Sequence, residues 1–227
     1  MQAPVLSTLT VDAAHAVSAL LQRPAAPPRA CLVFAHGAGA GMHHTFMQAS
    51  ADGLAERGIA TLRYQFPSME RGSRRPDPPA LAHAAVRAAV ADAARRLPGA
   101  ALLAGGKSFG GRMTSQAQAR QPLAGVAGLV FFGFPLHPAG QPGDERAAHL
   151  AQVGCPMLFL QGTRDALAEP TLMRAAIGRL GPRATAEWIT DADHAFHVRA
   201  KSGRTDAEVL NGMLDVVVRW IERAVPA

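Results

Sequence analysis

A serine flanked by closely spaced glycines lies near the middle of the chain. Residues 106–110, Gly-Lys-Ser-Phe-Gly, fit the pattern G-x-S-x-G, in which the serine occupies a tight turn from a strand into a helix. An apolar run from Ala101 to Gly105 precedes this serine, Ser108, and a helical pattern from Phe109 to Arg120 follows it. A hydroxyl presented on such a turn can attack a carbonyl carbon, so Ser108 is the candidate nucleophile.

A serine nucleophile needs a base to remove its proton, and the base needs an acid that fixes its tautomer and stabilises the imidazolium. His194 is the candidate base, because it lies in the polar segment 191–197 between the last predicted strand and the last predicted helix. Asp165 is the candidate acid, because it follows the apolar run Met157 to Gln161 at the end of a predicted strand. We therefore predict that Ser108, Asp165 and His194 form a catalytic triad.

Each of these roles has a competitor in the sequence. Asp144 lies in the loop after the preceding predicted strand, which is a less common position for the acid, and we prefer Asp165. His197 lies in the same segment as His194 and stays open as an alternative base. Lys107 is adjacent to the serine, but neighbouring residues on a sharp turn project apart, so we predict a surface or backbone-supporting role for it.

A glycine-rich turn follows the apolar run Leu32 to Ala35. Backbone N–H groups in such a turn can stabilise the negative oxygen that develops when a carbonyl is attacked, whatever their side chains. We assign this oxyanion hole to the amides of Ala38 and Phe109. A phosphate-binding loop is the alternative for this turn, but it lacks the pattern G-x-G-x-x-G and no Walker lysine follows.

Histidines in these segments also raise the possibility of a metal site. His194 and His197 are spaced so that both could ligate one ion on a helical turn, and three further histidines could join them, namely His36, His43 and His44. No H-E-x-x-H motif and no cysteine accompanies them. We therefore predict neither a metal nor a cofactor.

The elements that must position these residues alternate along the chain. Short apolar runs alternate with longer amphipathic segments, which predicts a mainly parallel sheet of about seven or eight strands with helices on both faces, an α/β class of fold. The first two strands are expected to form an antiparallel edge. The predicted strands are Leu6 to Val11, Ala16 to Gln22, Ala30 to Ala35, Ile59 to Tyr64, Ala101 to Gly105, Val126 to Phe132, Met157 to Gln161 and Ala186 to Ile189.

The predicted helices end where glycine or proline resists their continuation. They cover Phe46 to Arg57, Pro79 to Leu97, Phe109 to Arg120 and Thr171 to Leu180. A last helix begins at Thr205, which forms a capping box with Glu208. One face of this helix is apolar and should pack on the sheet; it carries Leu210, Leu214, Val217 and Ile221.

Two irregular segments rich in proline and glycine, Gln65 to Pro78 and Gly133 to Asp144, each follow a predicted strand. In open α/β sheets that end of the strands is the ligand side. Neither segment is long enough for a cap domain, so we expect a shallow, open active site. Four side chains on these loops are the predicted pocket lining, although they could equally anchor the loops to the core: Phe66, Phe134, Leu136 and His137.

Length and composition limit the remaining possibilities. A chain of 227 residues with 48% hydrophobic and 18% charged residues is typical of one globular domain, which we assign to residues 1–227. The net charge of +6 comes from dispersed arginines without interleaved aromatic residues, so we expect no nucleic-acid partner.

No signal peptide, membrane-spanning run or disulfide framework is evident, which favours a cytoplasmic protein. We expect its partner to be a small-molecule substrate and expect no membrane partner. The oligomeric state is left open.

Together, these motifs resemble those of the α/β-hydrolase superfamily, in which nucleophile, acid and base occur in the same chain order as Ser108, Asp165 and His194. The similarity is greatest to a small, capless branch related to dienelactone hydrolase that includes predicted serine hydrolases. Three segments carry this resemblance, namely residues 105–112, 133–138 and 161–165. Dienelactone hydrolases use a cysteine nucleophile where this chain has Ser108, so turnover of dienelactone is not implied.

The resemblance implies esterase-like chemistry on an ester, thioester or similar acyl bond. The same group also contains a scaffold subunit of a histone acetyltransferase complex, so the fold can serve without catalysis. A catalytically silent interaction module is therefore the alternative function. Because all three triad residue types are present, the sequence favours an active serine hydrolase of the carboxylesterase type.

Overall fold

A computed structural model describes residues 1–73 and 75–224 of the protein. Eight strands form one sheet in the order β1-β2-β4-β3-β5-β6-β7-β8. The first two strands are antiparallel to each other and β2 is antiparallel to β4, whereas the remaining pairs are parallel. The strands are β1 Val5–Thr10, β2 Ala16–Gln22, β3 Ala30–Ala35, β4 Ile59–Tyr64, β5 Ala101–Lys107, β6 Val126–Phe132, β7 Met157–Gly162 and β8 Ala184–Ile189.

The predicted sheet is confirmed, including its antiparallel edge, and the differences lie at strand ends. Strand β5 continues past Gly105 through Lys107, because Gly106 and Lys107 still pair with Phe131 and Phe132 of β6. Strand β8 begins two residues before Ala186, since it pairs with β7 along its whole length. These extensions arise from pairing with neighbouring strands, which a local sequence pattern does not contain.

Helices cover both faces of this sheet, as predicted. The α-helices are α1 Thr45–Glu56, α2 Pro67–Glu70, α3 Pro79–Arg96, α4 Phe109–Arg120, α5 Pro170–Gly178 and α6 Asp206–Ala224. The short helix α2 lies inside a segment expected to be irregular. A 3₁₀ helix at Glu145–Gln152 follows the other irregular segment and is also absent from the prediction. The predicted capping box is present, since the amide of Glu208 donates to Oγ1 of Thr205 and the amide of Thr205 donates to the Glu208 carboxylate.

The core has two layers, one on each face of the sheet. Because side chains alternate along a strand, Val33 of β3 packs with α3 and α4, whereas Leu32 and Phe34 pack with α1 and α6. Nearly all residues of β3, β4 and β7 are buried, as expected for strands covered on both faces. Within the described residues no separate domain covers the carboxyl ends of the parallel strands, so this edge of the sheet is left open to a ligand.

Among the residues that the structure describes, none of the helices has both the length and the apolar character needed to cross a membrane.

Candidate active site

Ser108 lies on the turn between the end of β5 and the start of α4, so the predicted strand–turn–helix arrangement is present. Its backbone has φ 52° and ψ −116°, a conformation that costs free energy in a residue with a Cβ atom. Backbone hydrogen bonds hold it there: the amide of Ser108 donates to the carbonyl of Phe132, and the amide of Arg112 donates to the carbonyl of Ser108, both at 3.1 Å. The turn therefore presents the hydroxyl at the carboxyl edge of the sheet.

Glycine next to Ser108 is required by close backbone packing. A Cβ atom on Gly110 would lie 2.5 Å from the carbonyl oxygen of Ala35 and 2.6 Å from that of His36, well inside ordinary contact distances. The start of α4 can therefore approach the end of β3 only because residue 110 has no side chain. This approach brings the nucleophile turn beside the glycine-rich turn after β3.

His194 contacts Ser108 with one ring nitrogen and Asp165 with the other. Its Nε2 accepts from the Ser108 hydroxyl at 2.8 Å, and its Nδ1 donates to Oδ2 of Asp165 at 2.7 Å. Because a carboxylate only accepts hydrogen bonds, the proton of the neutral ring is on Nδ1 and Nε2 is free to take the serine proton. The structure thus brings together the three side chains that the sequence predicts as a triad.

Asp165 is buried and held by further hydrogen bonds. Its Oδ2 accepts from the side-chain amide of Gln161 at 2.6 Å, and its Oδ1 accepts from the amide of Leu167 at 2.8 Å. Gln161 in turn accepts from the amide of Phe134 at 2.9 Å. The sequence analysis did not identify Gln161, although a polar residue in an otherwise apolar strand is a signal for such a role.

The loop that carries His194 is shaped by a turn around Asp193. Oδ1 of Asp193 accepts from the amides of Ala195 at 2.8 Å and His197 at 3.0 Å, which closes the turn. Phe196 takes a positive φ of 66° within it. The turn fixes the backbone of His194 and directs its ring toward Ser108.

The two competing residues lie elsewhere and have other partners. Nδ1 of His197 donates to Asp206 at 2.8 Å on the exposed surface, and this carboxylate raises the pKa of His197. Asp144 forms an exposed ion pair with Arg179. Neither competitor contacts Ser108 or His194, so the geometry favours Asp165 as the acid and His194 as the base.

The turn after β3 contains the predicted oxyanion-hole residue Ala38. His36 is buried under this turn, where its Nδ1 donates to the carbonyl of Gly37 at 2.8 Å and its Nε2 accepts from the amide of Phe66 at 3.0 Å. Burial lowers the pKa of His36, which keeps the ring neutral. Within the described residues, neither the amide of Ala38 nor that of Phe109 donates to a backbone carbonyl. Ala38 lines the cavity beside Ser108, whereas Phe109 directly follows Ser108 at the start of α4.

A cavity of about 340 Å³ opens beside Ser108 and His194. Most of its lining is apolar, and much of it comes from α1 and from the loops that carry the triad. The lining residues are Gly37, Ala38, Ala40, His44, Phe46, Met47, Lys107, Ser108, Leu167, His194 and Ala195. Sequence analysis missed Phe46, Met47 and Leu167 as pocket residues, because only the folded chain shows which residues of α1 and the Asp165 loop face Ser108.

The predicted pocket lining by Phe66, Phe134, Leu136 and His137 is wrong for this cavity. All four side chains are buried and act as anchors between loops and core. Phe66 packs against His36, while Phe134 packs against the aromatic rings of the sheet. His137 accepts from the amide of Glu169 at 2.8 Å and so ties the loop after β6 to the loop that carries Asp165.

Lys107 supports the backbone, as predicted, but it does not lie on the surface. Its side chain is half-buried and lines the cavity beside Ser108. Nζ donates a hydrogen bond to the backbone carbonyl of His194. Burial lowers the pKa of Lys107 to about 8.

The histidines proposed as alternative metal ligands do not converge. In residues 1–73 and 75–224, no three His, Cys, Asp or Glu side chains are grouped in a way that could hold a metal ion. Nδ1 of His44 accepts from the amide of Phe46 at 3.3 Å and caps α1. His36, His194 and His197 have the separate partners given above.

Comparison with known proteins assigns the chain to one family. A family profile for the alpha/beta hydrolase domain matches residues 28–222. The chain therefore belongs to the alpha/beta hydrolase domain family.

Several solved structures share the fold over nearly the whole chain. A dienelactone hydrolase from Anabaena variabilis superposes with a TM-score of 0.78 at 18% identity, covering 99% of both chains. A serine hydrolase without a lid from Xanthomonas campestris gives a TM-score of 0.74 at 22% identity over 98% of this chain and 97% of that one. An esterase domain from Rhodothermus marinus gives 0.76 at 16% identity over 99% and 100%. The family match supports hydrolase activity for the chain, and these neighbours show that it shares their fold.

Proposed function

We propose that this protein is a serine hydrolase that cleaves an ester, thioester or similar acyl bond of a small molecule. The observation that carries the proposal is the continuous set of hydrogen bonds from Ser108 through His194 to Asp165 beside an open cavity. An esterase domain and a lidless serine hydrolase among the structural neighbours support the same chemistry. A carboxylesterase is the activity that these features fit best.

In the proposed mechanism, Nε2 of His194 takes the hydroxyl proton as Oγ of Ser108 attacks the acyl carbon. The amides of Ala38 and Phe109 donate to the oxyanion, while Asp165 stabilises the imidazolium. His194 then protonates the departing alcohol or thiol, and an acyl-enzyme remains. Water attacks this intermediate with His194 again as the base, which releases the acid and restores the serine hydroxyl.

The cavity indicates which acyl groups fit. Phe46, Met47 and Leu167 give the lining an apolar surface next to the nucleophile. Apolar lining stabilises hydrocarbon groups by about 0.8 kcal/mol for each methylene removed from water. We propose that the acyl group is small and uncharged, and that it occupies this cavity while the leaving group points to solvent.

Labelling with a fluorophosphonate probe tests the proposed nucleophile and base. Ser108→Ala should abolish labelling, and His194→Ala should slow it by about 10⁶-fold, because the serine loses its base. Asp165→Asn should slow it by about 10⁴-fold, because the histidine tautomer is no longer held. His197→Ala and Asp144→Asn are the matched controls, and both should stay within about tenfold of the wild-type rate.

Three results would contradict the proposal. Equal labelling of the wild-type protein and Ser108→Ala would show that Ser108 is not the nucleophile. If His197→Ala slowed labelling as much as His194→Ala does, the assignment of His194 as the base would be wrong. Absence of labelling in the folded wild-type protein, together with no turnover of p-nitrophenyl acetate or butyrate, would instead favour the silent interaction module.

A further inference from the structure

Lys107 connects the nucleophile strand to the loop of the proposed base. It directly precedes Ser108 at the end of β5, and its Nζ donates to the backbone carbonyl of His194. The ammonium also lies 4.8 Å from the ring centre of Phe196 and 5.8 Å from that of Phe46. The rings of Phe46 and Phe196 are stacked, with 5.9 Å between their centres. Lys107 is thus held by groups from the base loop and from α1.

Space around this ammonium group is restricted. A Cβ atom on Gly133, after β6, would lie 3.0 Å from Nζ of Lys107 and 3.5 Å from the ring of His194. Gly133 also has a positive φ of 69°, so both its backbone and its lack of a side chain fit the crowded position. The segment after β6 therefore also packs against both Lys107 and His194.

The charge of Lys107 is kept in this position at a cost in stability. Burial disfavours the ammonium and lowers the pKa of Lys107 to about 8, while the nearby carboxylates of Asp165 and Asp193 oppose this effect. His44 and His194 line the same cavity as Lys107, and the rings of Phe46 and Phe196 are neutral. If this position only had to be filled, an apolar side chain of equal length would do so without the cost of burying a charge.

We propose that Lys107 is a positioning residue for the acyl-transfer reaction, which sets the distance between Ser108 and His194 by holding the backbone of the base loop. The inference rests on the proposed serine hydrolase function. A charge-assisted hydrogen bond to the His194 carbonyl and cation–π contacts to Phe196 are stronger than their neutral counterparts. Since a displacement of about 1 Å between reacting groups can cost about 10²-fold in rate, this link affects kcat directly.

Replacement of Lys107 by methionine tests the proposal, because methionine keeps the unbranched stem and removes the donor and the charge. Lys107→Met should lower kcat with p-nitrophenyl acetate by about 10- to 100-fold while KM changes little. Its Tm at pH 7 should equal or exceed that of the wild-type protein, because a buried charge is removed. Lys201→Met, at an exposed lysine, is the matched control and should behave like the wild-type protein.

Chemical rescue separates positioning from a loss of structure. Lys107→Ala leaves a gap shaped like the lysine stem, and added n-propylammonium should restore kcat in a saturable manner by donating to the His194 carbonyl. Lys107→Met, in which the stem is still filled, should not respond to the amine. A general effect of the amine on the reaction would act on both variants and on Lys201→Met equally.

The pH dependence of kcat gives a readout that a purely structural role would not change. As pH rises through about 8, Lys107 loses its proton and its contacts to the rings and carbonyl weaken, so wild-type kcat should fall on the alkaline side. Lys107→Met has no such group and should lack this alkaline decrease.

The outcomes are distinguishable from failure of the proposed function. If the wild-type protein is active and Ser108→Ala is silent, but Lys107→Met retains wild-type kcat and its alkaline limb, the positioning role is overturned alone. Loss of kcat in Lys107→Met together with a large fall in Tm and no amine rescue of Lys107→Ala also overturns it, since the lysine is then merely structural. Inactivity of the wild-type protein overturns the proposed function and this inference with it.

Discussion

Ser108, the proposed nucleophile, has an unfavourable backbone conformation. Its φ of 52° and ψ of −116° lie outside the regions that residues with a Cβ atom normally occupy. The surrounding hydrogen bonds and the packing of Gly110 on β3 hold it there. A conformation of this kind stores free energy that the rest of the fold must offset.

Replacing Ser108 by glycine should therefore stabilise the protein while it removes the nucleophile. Glycine adopts a positive φ without strain, and after allowance for its greater freedom in the unfolded chain we expect a gain of about 1 kcal/mol. Ser108→Ala is the matched comparison, because alanine keeps the Cβ atom. Urea denaturation should give a higher midpoint for Ser108→Gly than for Ser108→Ala. Equal midpoints would mean that the turn is not strained.

Among the secondary-structure elements, the 3₁₀ helix Glu145–Gln152 packs on α4 through a half-buried histidine contact. Nε2 of His149 lies 2.7 Å from Oγ of Ser115. Burial, together with the positive charge of Arg112 and the nearby His83, lowers the pKa of His149 to about 4. The ring is therefore neutral in the folded protein at pH values where it is protonated in the unfolded chain.

This contact predicts a pH-dependent stability. Because the folded pKa of His149 is below the unfolded value of about 6.5, its contribution is fully present above pH 6.5 and is lost as pH falls toward about 4. His149→Gln keeps a polar side chain that does not titrate. Its urea midpoint should fall less than that of the wild-type protein between pH 7 and pH 5. Parallel decreases in the two proteins would contradict the prediction.

Most elements can be predicted from the sequence because their signals are local. Buried parallel strands such as β3 appear as short apolar runs between turns, and the predicted bounds of β3 and α4 agree with the structure. The order of nucleophile, acid and base follows from strand ends, since parallel strands bring their carboxyl ends to one edge. Ser108, Asp165 and His194 can therefore be chosen before the chain is folded.

The pocket lining cannot be predicted in this way, because it depends on which way side chains turn after a strand. Gly133 takes a positive φ directly after β6, which directs the following Phe134 back into the core. The lining comes instead from Phe46 on α1 and Leu167 beyond Asp165. Their contribution depends on the packing of separate elements, which carries no short-range sequence signal.

At the scale of the whole molecule, a buried arginine joins the antiparallel edge to the parallel sheet. Arg63 of β4 is fully buried and donates to Oε1 of Gln22 on β2 and to Oε1 of Gln48 on α1. The amide groups of both glutamines donate to Asp52. The two glutamines thus connect a buried cation to a carboxylate and link three elements.

Replacing Arg63 by alanine should destabilise the protein by about 3–5 kcal/mol. The side-chain oxygens of Gln22 and Gln48 would lose their donor, and the charge of Asp52 would no longer be balanced by a nearby cation. Arg29→Ala is the matched comparison, since Arg29 forms a surface ion pair with Glu222. It should cost less than about 1 kcal/mol. Both values are accessible from urea unfolding. A small effect for Arg63→Ala would show that the network is not coupled to the fold.

The attachment of the base loop to α6 also determines when the site can form during synthesis. Asp206, the first residue of α6, accepts from the amide of Val198 at 2.9 Å, a few residues beyond His194. Ser108 precedes His194 by 86 residues in the chain. A nascent chain therefore carries its serine long before it carries a base to activate it. The hydrogen bonds from Ser108 through His194 to Asp165 can form only after segments that are distant in sequence have come together, and such long-range pairing is intrinsically slow.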